Sequence, residues 1–463
     1  MSPVSYYFCQ HIIRHQFRVS FIVFQIAILL ILAAFSPVKA ASPVSENEKP
    51  NYFDELQEEL KEGKVDKLDT HYYWDQGLHV VSRKNNFRLK IGGHMGIDMG
   101  YIHAGGDLED AFSSLDGFEP DFRRLHVSTL LTIYDALEFK FEIDFANVRS
   151  VKDIWLRYKK SPFLRHFKFG HVKEPFSLEK LASLKNMTFM ERALPVYALA
   201  PGRNIGIMFS NAELEERITY AAGFFWNTHS INETSDPQDS ISEANGSDIT
   251  IRITGLPRYE DEGRDLLHLG VCYTRGPRQS GENDALRVSS LPESYIADRT
   301  LVDTDEFNAD KLTRINIELA TVLGPVSFQS EFIYYSADSD TAKDPDFWGY
   351  YLYGSFFFTR EHREYDKSNG VFSMVHPNRN FSFRDKRWGA WELALRHSFL
   401  DLNDGDINGG KERNFTLAIN WYLKSNMRVM FNYVRADVED RDNSRVIDDG
   451  SANIFQTRFQ IRY

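Results

Sequence analysis

Residues 137–145 read Leu-Glu-Phe-Lys-Phe-Glu-Ile-Asp-Phe, with an apolar side chain at every odd position and a charge at every even one. A helix would mix the two sets on every face, whereas an extended strand separates them cleanly. The charged face must stay wet, so the run is a poor core strand for a sandwich. It fits a sheet whose other face meets a medium that is not water. The pattern recurs at 87–99, where Phe87, Leu89, Ile91, Met95, Ile97 and Met99 alternate with Arg88, Lys90, His94 and Asp98. The chain also holds 36 Phe and 22 Tyr. A wall that hides its apolar residues at alternate positions keeps a low average, so the mean hydropathy of −0.41 is no objection.

The same reading predicts sixteen strands, near 87–100, 122–133, 137–145, 151–158, 164–171, 203–210, 216–226, 247–256, 265–275, 311–322, 325–335, 348–358, 387–399, 411–422, 427–437 and 453–463. The connections alternate short and long, as periplasmic turns and external loops do. One breaks the rule: 359–386 is long where a short turn is due. In the last segment Phe455, Thr457, Phe459, Ile461 and Tyr463 share one face, with Gln456, Arg458, Gln460 and Arg462 on the other. The expected fold is all-β, a transmembrane antiparallel β-barrel of about 16 strands.

The N-terminal part agrees with export. Arg14 and Arg18 precede the apolar run 21–35, and Val38-Lys39-Ala40 offers a small-residue cleavage site, so 1–40 is expected to be a signal peptide. Residues 41–86 form a periplasmic leader, solvated or with a short helix at 52–64, and 87–463 form the barrel. Without residues 1–40 the chain keeps 51 Lys/Arg against 66 Asp/Glu, a balance of −15 that argues against a nucleic-acid partner. Only Cys272 then remains, so sheet closure rather than a disulfide framework holds the fold.

About 16–18 strands leave an aqueous channel, which implies passive diffusion of small hydrophilic solutes. Parity places thirteen cations on the inner face: Arg88, Lys90, Arg124, Lys140, Arg157, Lys168, Arg217, Arg252, Arg314, Arg396, Arg428, Arg458 and Arg462. Eight acids share it: Asp98, Glu138, Glu142, Asp144, Asp153, Glu318, Glu331 and Glu392. The inner face is thus +5. Rings of Arg and Lys select anions, and guanidinium groups bind phosphate or carboxylate oxygens in bidentate fashion. Ordinary cross-wall ion pairs in a non-selective lumen are the other reading of the same residues.

Three stretches resemble the phosphate-selective porin O and P family of Gram-negative outer membranes. They are Gly170-His171-Val172-Lys173-Glu174-Pro175-Phe176-Ser177 with Thr188-Phe189-Met190-Glu191-Arg192 and Pro201-Gly202-Arg203-Asn204-Ile205-Gly206; Gly389-Ala390-Trp391-Glu392-Leu393-Ala394 with Arg396; and Asn420-Trp421-Tyr422-Leu423 with Asn432-Tyr433-Val434. The resemblance implies a homotrimer in which the third external loop, about 172–202, folds into the lumen as a constriction. Lys173, Lys180, Lys185, Arg192 and Arg203 then become candidate contacts for small anions such as phosphate. It also implies outer-membrane lipid and the barrel-assembly machinery as partners. The segments 276–310 and 359–386 correspond to regions that narrow the pore in some members. The acid-rich composition of 276–310 departs from a dedicated phosphate funnel. No nucleophile elbow or zinc-binding His-Glu-x-x-His occurs, so neither an enzyme nor a cofactor is expected. A surface adhesin or structural barrel is the remaining alternative.

Overall fold

In the computed structural model the described residues are 70–82, 87–106, 108, 120–146, 150–159, 166–227, 241–242, 245–278, 285–297, 299–338, 344–441 and 449–463. The expected signal peptide and the possible helix at 52–64 lie outside them.

Sixteen strands form the wall. They are β1 (Phe87–Gly106), β2 (Asp121–Ile133), β3 (Leu137–Asp144), β4 (Ser150–Tyr158), β5 (His166–Lys173), β6 (Arg203–Glu213), β7 (Ile218–Asn227) and β8 (Gly246–Glu260). The second half comprises β9 (Asp265–Pro277), β10 (Lys311–Leu323), β11 (Val326–Asp338), β12 (Asp346–Phe357), β13 (Ala390–Asp404), β14 (Ile407–Lys424), β15 (Met427–Arg441) and β16 (Gly450–Arg462). Each pairs antiparallel with its sequence neighbours. β16 pairs with β1 from Gly450↔Gly106 to Arg462↔His94, so the barrel closes. Along β10 the burial alternates strictly, with Ile315, Ile317 and Leu319 exposed and Arg314, Asn316 and Glu318 buried. Backbone groups paired around a closed sheet are the condition for a strand to cross hydrocarbon.

Two features around β1 were not legible. A hairpin, Thr70–Trp74 with Leu78–Ser82, lies within the leader, and its second strand pairs with β1 from Leu78↔Ile91 to Val81↔Arg88. It occupies the edge of β1 just below the point where Tyr463 exchanges backbone hydrogen bonds with Gly93, at 2.6 and 3.1 Å. In β2 the register with β1 shifts between Gly96 and Ile97. This bulge turns the adjacent Arg123 and Arg124 both inward, where each is buried.

The short turns lie at one end of the barrel and the long loops at the other. Tyr134 and Asp135 take φ of 50° and 53° in the three-residue connection 134–136 between β2 and β3. The β12–β13 connection, 358–389, is long at the short-turn end, where the sequence marked an exception.

Towards the long-loop end the inner face of β10–β16 and β1 becomes apolar. Ile333, Phe347, Leu400, Val434 and Ile454 belong to one buried cluster with Phe176, Phe189, Leu194 and Val196 of the β5–β6 connection. Leu286, Val288 and Leu301 of the β9–β10 connection complete it. Strict polar-in alternation ends there because protein, not water, covers those positions.

Candidate functional site

The β5–β6 connection, 174–202, holds two short helices, α1 (Leu178–Leu181) and α2 (Leu194–Ala198). Ser177 caps α1 through its hydroxyl, which accepts from the Lys180 N–H at 3.1 Å. Glu331 of β11 accepts the otherwise orphaned N–H groups of Leu178 and Glu179 at 3.0 and 2.8 Å.

Between the helices the segment is fastened by arginines of the inner face. Glu191 accepts from Arg123 at 3.0 and 3.2 Å, from Arg124 at 3.1 Å and from Arg458 at 2.6 Å. Arg458 also binds Asp98 through both of its oxygens at 2.6 Å. Arg428 donates to the carbonyl of Met187 at 2.6 Å, and Arg462 to that of Lys185. Arg396 bridges the two long connections: it meets Glu293 at 2.6 Å and donates to the carbonyl of Glu191 at 3.1 Å. Glu293 further accepts from the hydroxyl of Thr416 at 2.5 Å. Five of the inner-face cations named from the sequence therefore hold connecting segments.

Three others make contacts along the wall, Arg217 and Arg252 towards the short-turn end and Arg314 towards the long-loop end. Arg252 forms a bidentate pair with Glu318 at 2.9 and 2.8 Å and donates to the carbonyl of Gly370 at 2.8 Å. Arg217 donates to the carbonyl of Tyr259 at 3.3 Å. Arg314 lies 5.3 Å from the Tyr335 ring centroid and 3.9 Å from Asp248. Part of the long turn faces the same side. Tyr365 shares a 2.6 Å hydrogen bond with Nδ1 of His268, and Arg363 donates to Gln329 at 3.0 Å.

An open region lies along one side of the barrel. A cavity of about 410 Å³ runs along the inner face of β3–β8, bounded by Pro175, Leu181 and Leu184 on the β5–β6 connection and by Asp366–Ser373 of the long turn. Lys140, Arg157, Lys168, Lys173, Arg203 and Arg252 line it, against the carboxylates Glu142, Asp153 and Asp366. Lys140 meets Asp153 at 2.6 Å and Glu142 at 2.7 Å; Arg203 meets Asp153 at 2.8 Å. Arg157 pairs with Glu138. Lys168 has no ion pair among the described residues, and its ammonium sits 4.8 Å from the Trp155 ring centroid. Lys173 donates to the carbonyls of Lys180 and Ala182 at 2.6 and 3.3 Å. Arg192 reaches the Lys180 carbonyl at 3.3 Å, so Lys173 and Arg192 converge on one oxygen. Lys180 is itself buried, and Lys185 is half-buried beside Arg462.

The sequence that builds this closed sixteen-strand wall and its charged cavity lining matches a family model. The family model described as phosphate-selective porin O and P covers residues 89–463. The chain belongs to that family. Porin O of Pseudomonas aeruginosa is 24% identical over 431 residues, covering 83% of this chain and 90% of that relative. An uncharacterized protein of Caulobacter vibrioides is 24% identical over 398 residues, covering 85% of this chain and 77% of its own length. Among solved structures, the outer membrane channel DcaP of Acinetobacter baumannii superposes with a TM-score of 0.51 at 12% identity, covering 82% of this chain and 99% of that one. The protein is a porin of the bacterial outer membrane.

Several residues that shape this porin's interior escaped the sequence reading. Arg123 sits at an outward parity and is redirected only by the bulge. The Arg123-Arg124 doublet, two adjacent charges in an alternating run, was the available signal. Glu293 and the Tyr365 limb lie in connections, where period-two reasoning says nothing about direction.

Proposed function

We propose that this porin is a passive diffusion channel that prefers small anions, with phosphate among its solutes. The supporting observation is the six-to-three excess of cationic over carboxylate side chains around the cavity, including a Lys168 ammonium with no acidic partner among the described residues. The third external connection, fastened at Glu191, folds into the lumen and narrows the passage to the β3–β8 side. The family description favours phosphate. The Lys140–Asp153–Arg203 network favours a weaker, general anion preference, because it neutralises part of the lining. Family membership also supports assembly as a homotrimer delivered by the barrel-assembly machinery.

Reversal potentials in planar bilayers under a KCl gradient test the preference. An open channel with chloride favoured over potassium is expected, and Lys168→Gln should reduce that ratio by about two- to fivefold. Cation preference in the wild type would overturn the assignment. Saturable block of chloride current by phosphate, relieved in Lys173→Gln or Arg192→Gln, would identify a phosphate site; linear phosphate conductance would leave a general anion pore.

A further inference from the structure

The long periplasmic turn has two limbs that face opposite sides of the wall. The first, around Tyr365, contacts inner-face groups. The second lies against the outer face. Trp391 and Trp421 stack there at 5.2 Å, on the same parity as the exposed Leu395 and Leu417. Their indole N–H groups both donate to the carbonyl of Trp388, at 3.2 and 2.7 Å. Phe381 packs edge-on to Trp421 at 5.2 Å and donates its N–H to the Leu423 carbonyl at 2.7 Å. Ser382 and Arg387 then exchange backbone hydrogen bonds at 3.0 Å and close a small flap.

The flap is unusual in what it exposes. Phe383 is 81% exposed and Trp388 64%. Arg379, Arg384, Lys386 and Arg387 are exposed beside them, and Asp385, which meets Arg387 at 3.1 Å, is the only acid between 379 and 388. Arg379, Arg384 and Lys386 have no ion pair among the described residues. This local excess of positive charge stands out in a chain of net charge −12.

We propose that the flap is a docking site for anionic phospholipid headgroups in the leaflet on the periplasmic side. The surface continues the lipid-facing girdle of Trp391 and Trp421, so its rings reach the boundary between headgroup and acyl chain. Its cations stand where lipid phosphates lie, and each basic side chain near an anionic membrane surface adds to binding. Neither contribution alone explains an aromatic and basic tip on one short loop. The first limb meets the passage, so the same turn joins the lipid surface to the pore lining.

The test is electron spin resonance on the full-length protein in phosphatidylcholine bilayers containing spin-labelled phosphatidylglycerol or spin-labelled phosphatidylcholine. The motionally restricted fraction should favour phosphatidylglycerol by about threefold or more at low ionic strength, and the preference should collapse at about 0.5 M salt. The variant R384Q/K386Q/R387Q should lose the preference while keeping wild-type chloride conductance; Arg384→Gln alone should lose part of it and serves if the triple variant does not fold. Equal binding of the two lipids, or an undiminished preference in the variants, overturns the proposal. So does efficient cross-linking of Phe383→Cys between copies, which would place the flap at a subunit contact.

Discussion

At the residue scale, Glu191 is the fastening point of the third connection. Burial alone would raise its carboxyl, but the surrounding Arg123, Arg124 and Arg458 hold it well below the usual carboxylate range. A depressed folded value means its stabilising contribution is fully present above the unfolded carboxylate value of about 4.3 and is lost as pH falls through the folded one. Glu191→Gln leaves the guanidinium cluster without its shared anion, at a cost of about 3–5 kcal/mol borne by the loop rather than the wall. Larger single-channel conductance with increased open-channel noise is expected; traces indistinguishable from wild type would show that the clamp does not restrain the loop. Lys185 behaves differently. Burial, with Arg462 nearby, brings its ammonium down to about 8. It therefore loses its charge between pH 7 and 9, and the chloride-to-potassium ratio should decline over that window. In Lys185→Gln the decline should flatten.

At the element scale, the inner limb of the long turn depends on a few polar contacts rather than on a continuous ladder. Tyr365→Phe removes the hydroxyl that meets His268 and leaves a buried imidazole nitrogen unpartnered, a loss of about 1–3 kcal/mol. Tyr365→Ala also removes the ring from its edge-on contact with Phe372 at 5.4 Å. Conductance should rise in the order wild type, Phe, Ala, as bilayer recordings would show. The wall strands themselves were legible because a lipid face and a wet face impose opposite chemistries on alternate residues. Leu137 to Asp144 states its fold outright for that reason. The limb was not legible, because Tyr365 and Gly370 obey no period and their partners, His268 and Arg252, lie roughly a hundred residues away. By parity the sequence also assigns Arg124, Arg396, Arg428, Arg458 and Arg462 to the inner face. Parity could not tell whether those guanidinium groups meet water or a carbonyl of another segment.

At the scale of the whole molecule, the seam between β16 and β1 is reinforced by the hairpin at 70–82. It pairs the part of β1 that lies below Gly93. Replacing 70–82 with a Gly/Ser linker should leave the rest of the wall folded but lower the temperature at which its heat-modifiable gel band shifts. An unchanged shift would show that the hairpin adds nothing to closure. The barrel also divides into two arcs. Over β10–β16 the interior is packed with the apolar faces of two connections, and there a large-to-small change such as Leu400→Ala carries the penalty of a cavity in a soluble core, about 2–5 kcal/mol. Along β3–β8 the lining is polar and faces the passage. A lineage can therefore exchange Lys168, which has no ion pair among the described residues, at little cost in stability. Solute preference and structural integrity are inherited on separate arcs of one wall, so relatives with the same scaffold are free to diverge in what they admit.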